Sequence, residues 1–170
     1  MSALPNQQVV IKDACIFFDL MDLGLLQHFY RLQLVVITTP QVLDEIVDEG
    51  QLAEVNSYIQ TGYLQVDPFG QLEAMLSIRD ANPGLSFTDA SVLEVASRRN
   101  ATVLSSDKSL RNESARQGIT VRGFLWIMEE LFLQRVIEQT VLLEKLALYP
   151  KVNNRAPKVE LDNLIKKYKV

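Results

Sequence analysis

Cysteine and histidine are nearly absent. The 170 residues hold one cysteine, Cys15, and one histidine, His28. A lone cysteine excludes a disulfide framework or a cysteine zinc centre within one chain. A lone histidine excludes a multi-histidine metal site. No apolar run approaches the ~18 residues a membrane-spanning helix needs, and no signal peptide is expected at residues 1–20. The expectation is a soluble cytoplasmic protein without a membrane partner. Repeats and low-complexity linkers are missing as well. Length and composition, 48% hydrophobic and 22% charged, suit one globular domain with a substantial core. Net charge is -4, which argues against coating nucleic acid by bulk electrostatics. That charge is uneven: residues 151–170 carry +4 and the first 150 residues carry -8. The basic end reads most simply as a solvated face.

What is present is an alternation of apolar strands and amphipathic helices. Residues 9–12 read as a first strand, followed by a helical region over 16–32 that Gly24 interrupts. LVVITT, 34–39, is a second strand. Thr39-Pro40 then opens a helix, with Thr as N-cap and Pro at the first helical position. That helix is expected to run to Gly50 as its C-cap, with another over 51–60 ended by Gly62. A short strand over 63–66 and a helix over 71–79 lead to the turn at Asn82-Pro83-Gly84. A helix opens at SFTDASVLEVA, ATVLS is a buried strand, and a helix from Asp107 ends at Gly118. Residues 119–123 form a last strand. The remainder is helical, with a break over 134–137, a loop over 150–157 and a terminal helix over 158–168. Strands alternating with helices predict a parallel sheet covered on both faces. Residues 1–133 are expected to form the main domain, and 134–170 a helical extension packed on it.

In parallel sheets, ligands bind beyond the carboxyl ends of the strands. Four carboxylates fall there: Asp13 ending the first strand, Glu45 on the helix after the second, Asp89 opening a later helix, and Asp107 past ATVLS. Packed together they would repel and raise each other's pKa values. A hard divalent cation removes that penalty, and magnesium takes oxygen ligands. Two such ions about 4 Å apart can activate a water and stabilise the leaving oxygen of a phosphodiester. Each acid also has a simpler reading. Ser86-Phe87-Thr88-Asp89 fits a capping box. Asp107 can cap its own helix, and Glu45 can be one solvated charge beside Asp44, Asp48 and Glu49. Capping gives no reason for all four to share one edge. Val42, Leu43, Ile46 and Val47 set the apolar face of their helix, and Asp44 and Glu45 flank it equally, so periodicity does not choose between them.

The order of these motifs resembles the PIN domain family over residues 7–125. VVIKDACIF offers Asp13, TPQVLDEI offers Glu45, LSFTDASVLEVA offers Asp89, and VLSSDKSLR offers Asp107. The family pattern selects Glu45, the acid directly before Ile46. It also places Ser105 at a hydroxyl position that supports the metal cluster, with Ser86 and Thr88 in the matching helix-opening segment. The resemblance implies a three-layer α/β/α sandwich with a mainly parallel central sheet and, here, extra C-terminal helices. It implies an endoribonuclease dependent on Mg²⁺ or Mn²⁺, with Asp13, Glu45, Asp89 and Asp107 as catalytic, metal-binding residues. Small stand-alone members are often toxin ribonucleases held by an antitoxin, and many form homodimers. Two features depart from the pattern. Ala14-Cys15 stand where a hydroxyl or amide is usual, and the chain is longer than the compact toxins.

Among the remaining residues, Cys15 reads as a small buried side chain. Lys108 lies near the acidic edge and can touch a phosphate, whereas Arg98 and Arg99 end a helix far from it. Lys12 neighbours Asp13 but alternation points it to the other side of the strand, and each of these cations reads more simply as solvated. Trp126, Ile127, Leu131, Phe132 and Leu133 read as core or a dimer seam rather than a base-stacking platform. The segments from Leu142 and from Arg155 onward can pack on the domain or meet a partner, and Arg155 and the terminal lysines can bind RNA, though no motif shows it. A non-catalytic PIN scaffold that binds RNA or a protein is the alternative. A phosphotransfer protein is a weaker one, because Asp13-Ala14-Cys15 offers neither paired acids nor Asp-x-Asp.

Overall fold

The computed structural model describes residues 7–12, 14–107 and 110–169. Five strands, β1 (Gln7–Ile11), β2 (Leu34–Thr38), β3 (Leu64–Val66), β4 (Thr102–Leu104) and β5 (Val121–Arg122), form one sheet in the order β3-β2-β1-β4-β5. Every neighbouring pair is parallel. β1 is central, with Val9 opposite both Val36 and Thr102. Its VVI run, Val9–Ile11, is apolar on both sides because both sides are covered.

The period-2 alternation of β1 divides the interior into two layers. Val9 and Ile11 join one core. α1 (Ala14–Asp22), α2 (Leu26–Phe29), α8 (Phe124–Leu133), α9 (Gln139–Val152) and α10 (Lys158–Tyr168) cover that face. Val10 joins the other core with Val92, Leu93, Val95 and Ala96 of α6 (Phe87–Arg99). The result is the three-layer α/β/α arrangement. Residues 134–170 share the first core: Leu142, Leu146, Tyr149, Leu161 and Leu164 are buried in it. Tyr149 stacks on Phe124 with ring centroids 4.7 Å apart, fixing α9 to α8. Phe132 meets Tyr168 edge-on at 4.9 Å, fixing α10 to the same helix. Ile127 and Leu131 are core, whereas Trp126 is only half-buried. Among the described residues no helix is long and apolar enough to cross a membrane.

Three boundaries differ most from expectation, one being the helix expected from Asp107, which starts only at Arg111 with Leu110 as its N-cap, so Asp107 does not cap it. α3 (Pro40–Asp44) stops early, with Glu45 at its C-cap, and α4 (Glu49–Gln60) begins before Gly50. The Asp48 carboxylate accepts the Gln51 amide at 2.8 Å and starts a new helix. A local acidic N-cap thus outweighs the glycine stop signal. Ile46 is buried in the intervening turn, while Val47 points outward and is 92% exposed, not part of an apolar helix face. The third difference is α9, which passes through Pro150 and ends at Val152. Proline removes one donor but the helix survives two residues beyond it, and the Asn153 amide donates to the Tyr149 carbonyl at 2.8 Å. α5 (Leu72–Ala81) and α7 (Arg111–Arg116) complete the helices.

Candidate active site

Asp89 and Asp107 arrive at the carboxyl edge of the sheet from separate elements. Asp89 sits in the first turn of α6, the most deeply covered helix, where residues 89–96 are all buried. Ser86 caps that helix, its hydroxyl accepting the Asp89 amide at 3.0 Å. Asp89 Oδ2 in turn accepts the Ser86 amide at 2.9 Å. The capping box is therefore real, and it occupies one carboxylate oxygen. The other, Oδ1, faces Lys12 Nζ at 3.3 Å. One aspartate serves both the helix and the edge.

Asp107 is placed by a serine turn. The Ser105 amide continues the ladder to the Arg122 carbonyl at 2.9 Å, and the Ser105 hydroxyl accepts the Asp107 amide at 3.0 Å. Ser105 is buried while half of the Asp107 side chain reaches solvent. Asp107 Oδ2 lies 3.1 Å from the same Lys12 Nζ. One ammonium thus bridges two carboxylates contributed by residues far apart in the chain. Its side chain is only 12% exposed, so the solvated-cation reading of Lys12 does not hold. Alternation does turn Lys12 onto the Val10 face. That is the face α6 covers, so the side chain arrives at Asp89.

Glu45 is exposed at the end of α3 and takes no part in the Lys12 bridge. α3 is nevertheless tied to the start of α6. Thr39 Oγ1 meets Ser91 Oγ at 3.0 Å, and Ser91 Oγ donates to the Thr88 carbonyl at 2.7 Å. Asp13 and Lys108 lie outside the described residues. Among the described residues, no three His, Cys, Asp or Glu side chains come together as a metal site. The groups that do converge, two carboxylates and a serine hydroxyl, are hard oxygen donors of the kind Mg²⁺ and Mn²⁺ take.

Beside this edge opens a cleft of about 660 Å³. Lys12, Ser105 and Asp107 line one wall, and Arg111, Trp126 and Arg155 line others. Arg155 lies between α9 and α10, so the C-terminal extension forms part of the cleft. Its loop is held: Asn153 Oδ1 accepts the Arg155 amide at 2.9 Å, and Asn153 Nδ2 donates to the buried Asp19 of α1 at 3.0 Å. Cys15 is exposed and lines the same cleft, contrary to the expectation of burial. It stands at the start of α1, where the helix first turns back from the edge. No local pattern in the sequence marks Arg155 or Trp126 as cleft residues. The basic composition of residues 151–170 was the one available hint.

Arg98 and Arg99 have a different task. Arg98 donates to both oxygens of Asp67, at 2.9 and 3.2 Å, and to Glu94 at 2.8 Å. Arg99 reaches Asp67 at 3.3 Å and Gln8 at 2.9 Å. Burial pushes the Asp67 carboxyl up, but hydrogen bonds and charge from Arg98, the Phe69 amide and Arg99 outweigh it. The net result lies below the ordinary carboxylate value.

A parallel α/β sheet with acids collected at its carboxyl edge defines a class of proteins that handle phosphate esters or metal ions there. A family model described as a PIN domain matches residues 9–167, and the chain belongs to the PIN domain family. PIN domains are generally nucleases that use divalent metals. The match includes the C-terminal helices as well as the sheet. No curated protein matches the chain.

Proposed function

We propose that this chain is a metal-dependent endoribonuclease that hydrolyses RNA phosphodiester bonds. The observation that carries it is the convergence of Asp89 and Asp107 at the carboxyl edge, beside a cleft bearing Arg111 and Arg155. Asp13 and Glu45 complete the acidic set in this reading. A bound Mg²⁺ or Mn²⁺ would supply the Lewis acidity for in-line attack of water on phosphorus. The chain's own groups do the rest. Asp89 and Asp107 would hold the cation, and Ser105 fixes the Asp107 turn. Arg111 and Arg155 bind phosphates flanking the scissile one, and guanidinium groups suit that task. Trp126 presents an apolar wall to a base.

The test is cleavage of a fluorogenic single-stranded RNA with Mg²⁺ or Mn²⁺, beside EDTA. Cleavage that EDTA abolishes supports the reading, and no cleavage by folded protein counts against it. Arg155→Ala should raise KM about tenfold with kcat nearly unchanged, since it removes one phosphate contact made in ground and transition states alike. Steady-state kinetics on the same RNA checks this. Ser105→Ala leaves the Asp107 amide without its acceptor. It should lower stability by about 1 kcal/mol, and cleavage by about tenfold as the carboxylate loses its orientation. Urea melts and rates measure the two effects, and Ser105→Thr should restore both.

Further components of the reading are a toxin role opposed by an antitoxin, a homodimer and a cytoplasmic location. They rest on the likeness to small PIN toxins. Leu72 and Leu76 support a partner surface: they share one face of α5 and are 58% and 43% exposed. We also propose that 134–170 is an extension of the nuclease unit, not a separate domain. A second reading, a non-catalytic scaffold, is favoured by the Lys12 ammonium standing between two of the acids.

A further inference from the structure

We propose that Lys12 is a built-in cation of the acidic edge, filling one cation position so that the site takes a single divalent ion. This rests on the nuclease reading above. Lys12 directly follows β1, the central strand. Its amide donates to the Leu104 carbonyl at 2.9 Å, so its backbone is fixed at the junction of β1 and β4. Its ammonium lies 3.3 Å from Asp89 Oδ1 and 3.1 Å from Asp107 Oδ2. Those two oxygens are therefore separated by less than twice the longer distance. A divalent ion bound to these same two oxygens competes with Nζ for them.

Asp89 reinforces the point. Its Oδ2 is held by the Ser86 amide, and its Oδ1 is the oxygen that faces Lys12. Lys12 is mostly shielded from water, so its charge is little screened. The ammonium offsets the repulsion between the two carboxylates and needs no metal to do so. A first divalent ion shares Asp89 and Asp107 with Nζ, and a second one meets both an occupied place and a like charge. The fixed +1 charge stays at the edge in the presence of chelators.

The experiment is calorimetric titration of the full chain with Mn²⁺ in the absence of RNA, with electron paramagnetic resonance of the loaded protein. The wild type should bind one ion per chain and show an isolated-ion spectrum. Lys12→Met keeps much of the aliphatic stem and removes the charge. It should bind two ions and show the signature of a spin-coupled pair. Lys12→Arg should remain at one ion. Two ions in the wild type would overturn the proposal, whether or not Lys12→Met folds. One ion in both wild type and folded Lys12→Met would overturn it too, while leaving the nuclease reading intact. No binding by the wild type, with no RNA cleavage, would remove the nuclease reading and this inference together.

Discussion

Asp89→Asn should abolish metal-dependent RNA cleavage while the protein remains folded. The two oxygens of Asp89 have separate tasks: Oδ2 accepts the Ser86 amide and Oδ1 faces the cationic edge. Asparagine keeps one oxygen, and the helix can still use it as the acceptor. Its amide NH₂ then turns toward the edge, where it can neither bind a cation nor balance Lys12. Losing one carboxylate from the cation site should cost about 4 kcal/mol of transition-state stabilisation, or about 10³-fold in rate. The effect on folding should stay below about 1 kcal/mol, because the cap survives. Single-turnover cleavage and thermal melts on the same preparation separate the two. If Asp89→Asn cleaves at the wild-type rate, Asp89 is a helix cap and nothing more. Asp107→Asn should behave similarly, with even less effect on folding, since the Asp107 side chain is 43% exposed.

Asp67→Ala should have the opposite profile, with a large loss of stability and an unaltered cleavage rate at temperatures where the variant is folded. The Asp67 side chain is 3% exposed and receives Arg98, Arg99 and the Phe69 amide. Removing it leaves two guanidinium groups without their shared acceptor. Breaking a buried pair by deleting one partner costs about 3–5 kcal/mol. The lower end is expected here because each arginine side chain is 29% exposed. The pH dependence follows from the direction of the shift. The folded Asp67 carboxyl titrates below its unfolded value of about 3.9. Its contribution is complete above that value and is lost as pH falls through the lower, folded pKa. Glu113 acts in the same sense: the Gln117 hydrogen bond lowers its pKa against the effect of burial, with help from Asn82 and Arg116. Urea unfolding at pH 7 and near pH 3 should show wild type and Asp67→Ala converging as the acid limb is reached. Parallel curves would mean that the carboxylate contributes through packing rather than charge.

The two acids differ in how legible they were. Asp67 carries no motif, and its arginines sit some thirty residues away on α6. Asp89 is announced by SFTD, yet that signal is ambiguous between a cap and a site. The structure shows the cap on one oxygen and Lys12 on the other. Lys12 is the clearest case of a residue read correctly in direction and incompletely in consequence. Alternation sends it away from Asp13. What lies on that side depends on which helix covers the Val10 face, and the chain reaches α6 only some seventy residues later. Cys15 was misread for a similar reason, and the cleft position of Arg155 and Trp126 had no local signal. Whether a side chain lines a cleft depends on where the C-terminal helices dock.

The sequence by itself determined the local architecture. Short continuous apolar runs set the strands, and alternation with helices made the sheet parallel. Ser86 and Thr39 set helix starts, while Asn100, in the left-handed conformation at φ 52°, set the end of α6. These outcomes depend on contacts within a few residues, where residue type and spacing are sufficient. Only the tertiary structure decided that Lys12 bridges Asp89 and Asp107, that Arg155 overlooks the edge from a loop tied to Asp19, and that Arg98 and Arg99 close on Asp67. Those contacts join distant segments. They follow from which face each helix covers and from the side-chain reach that the packed layers leave open.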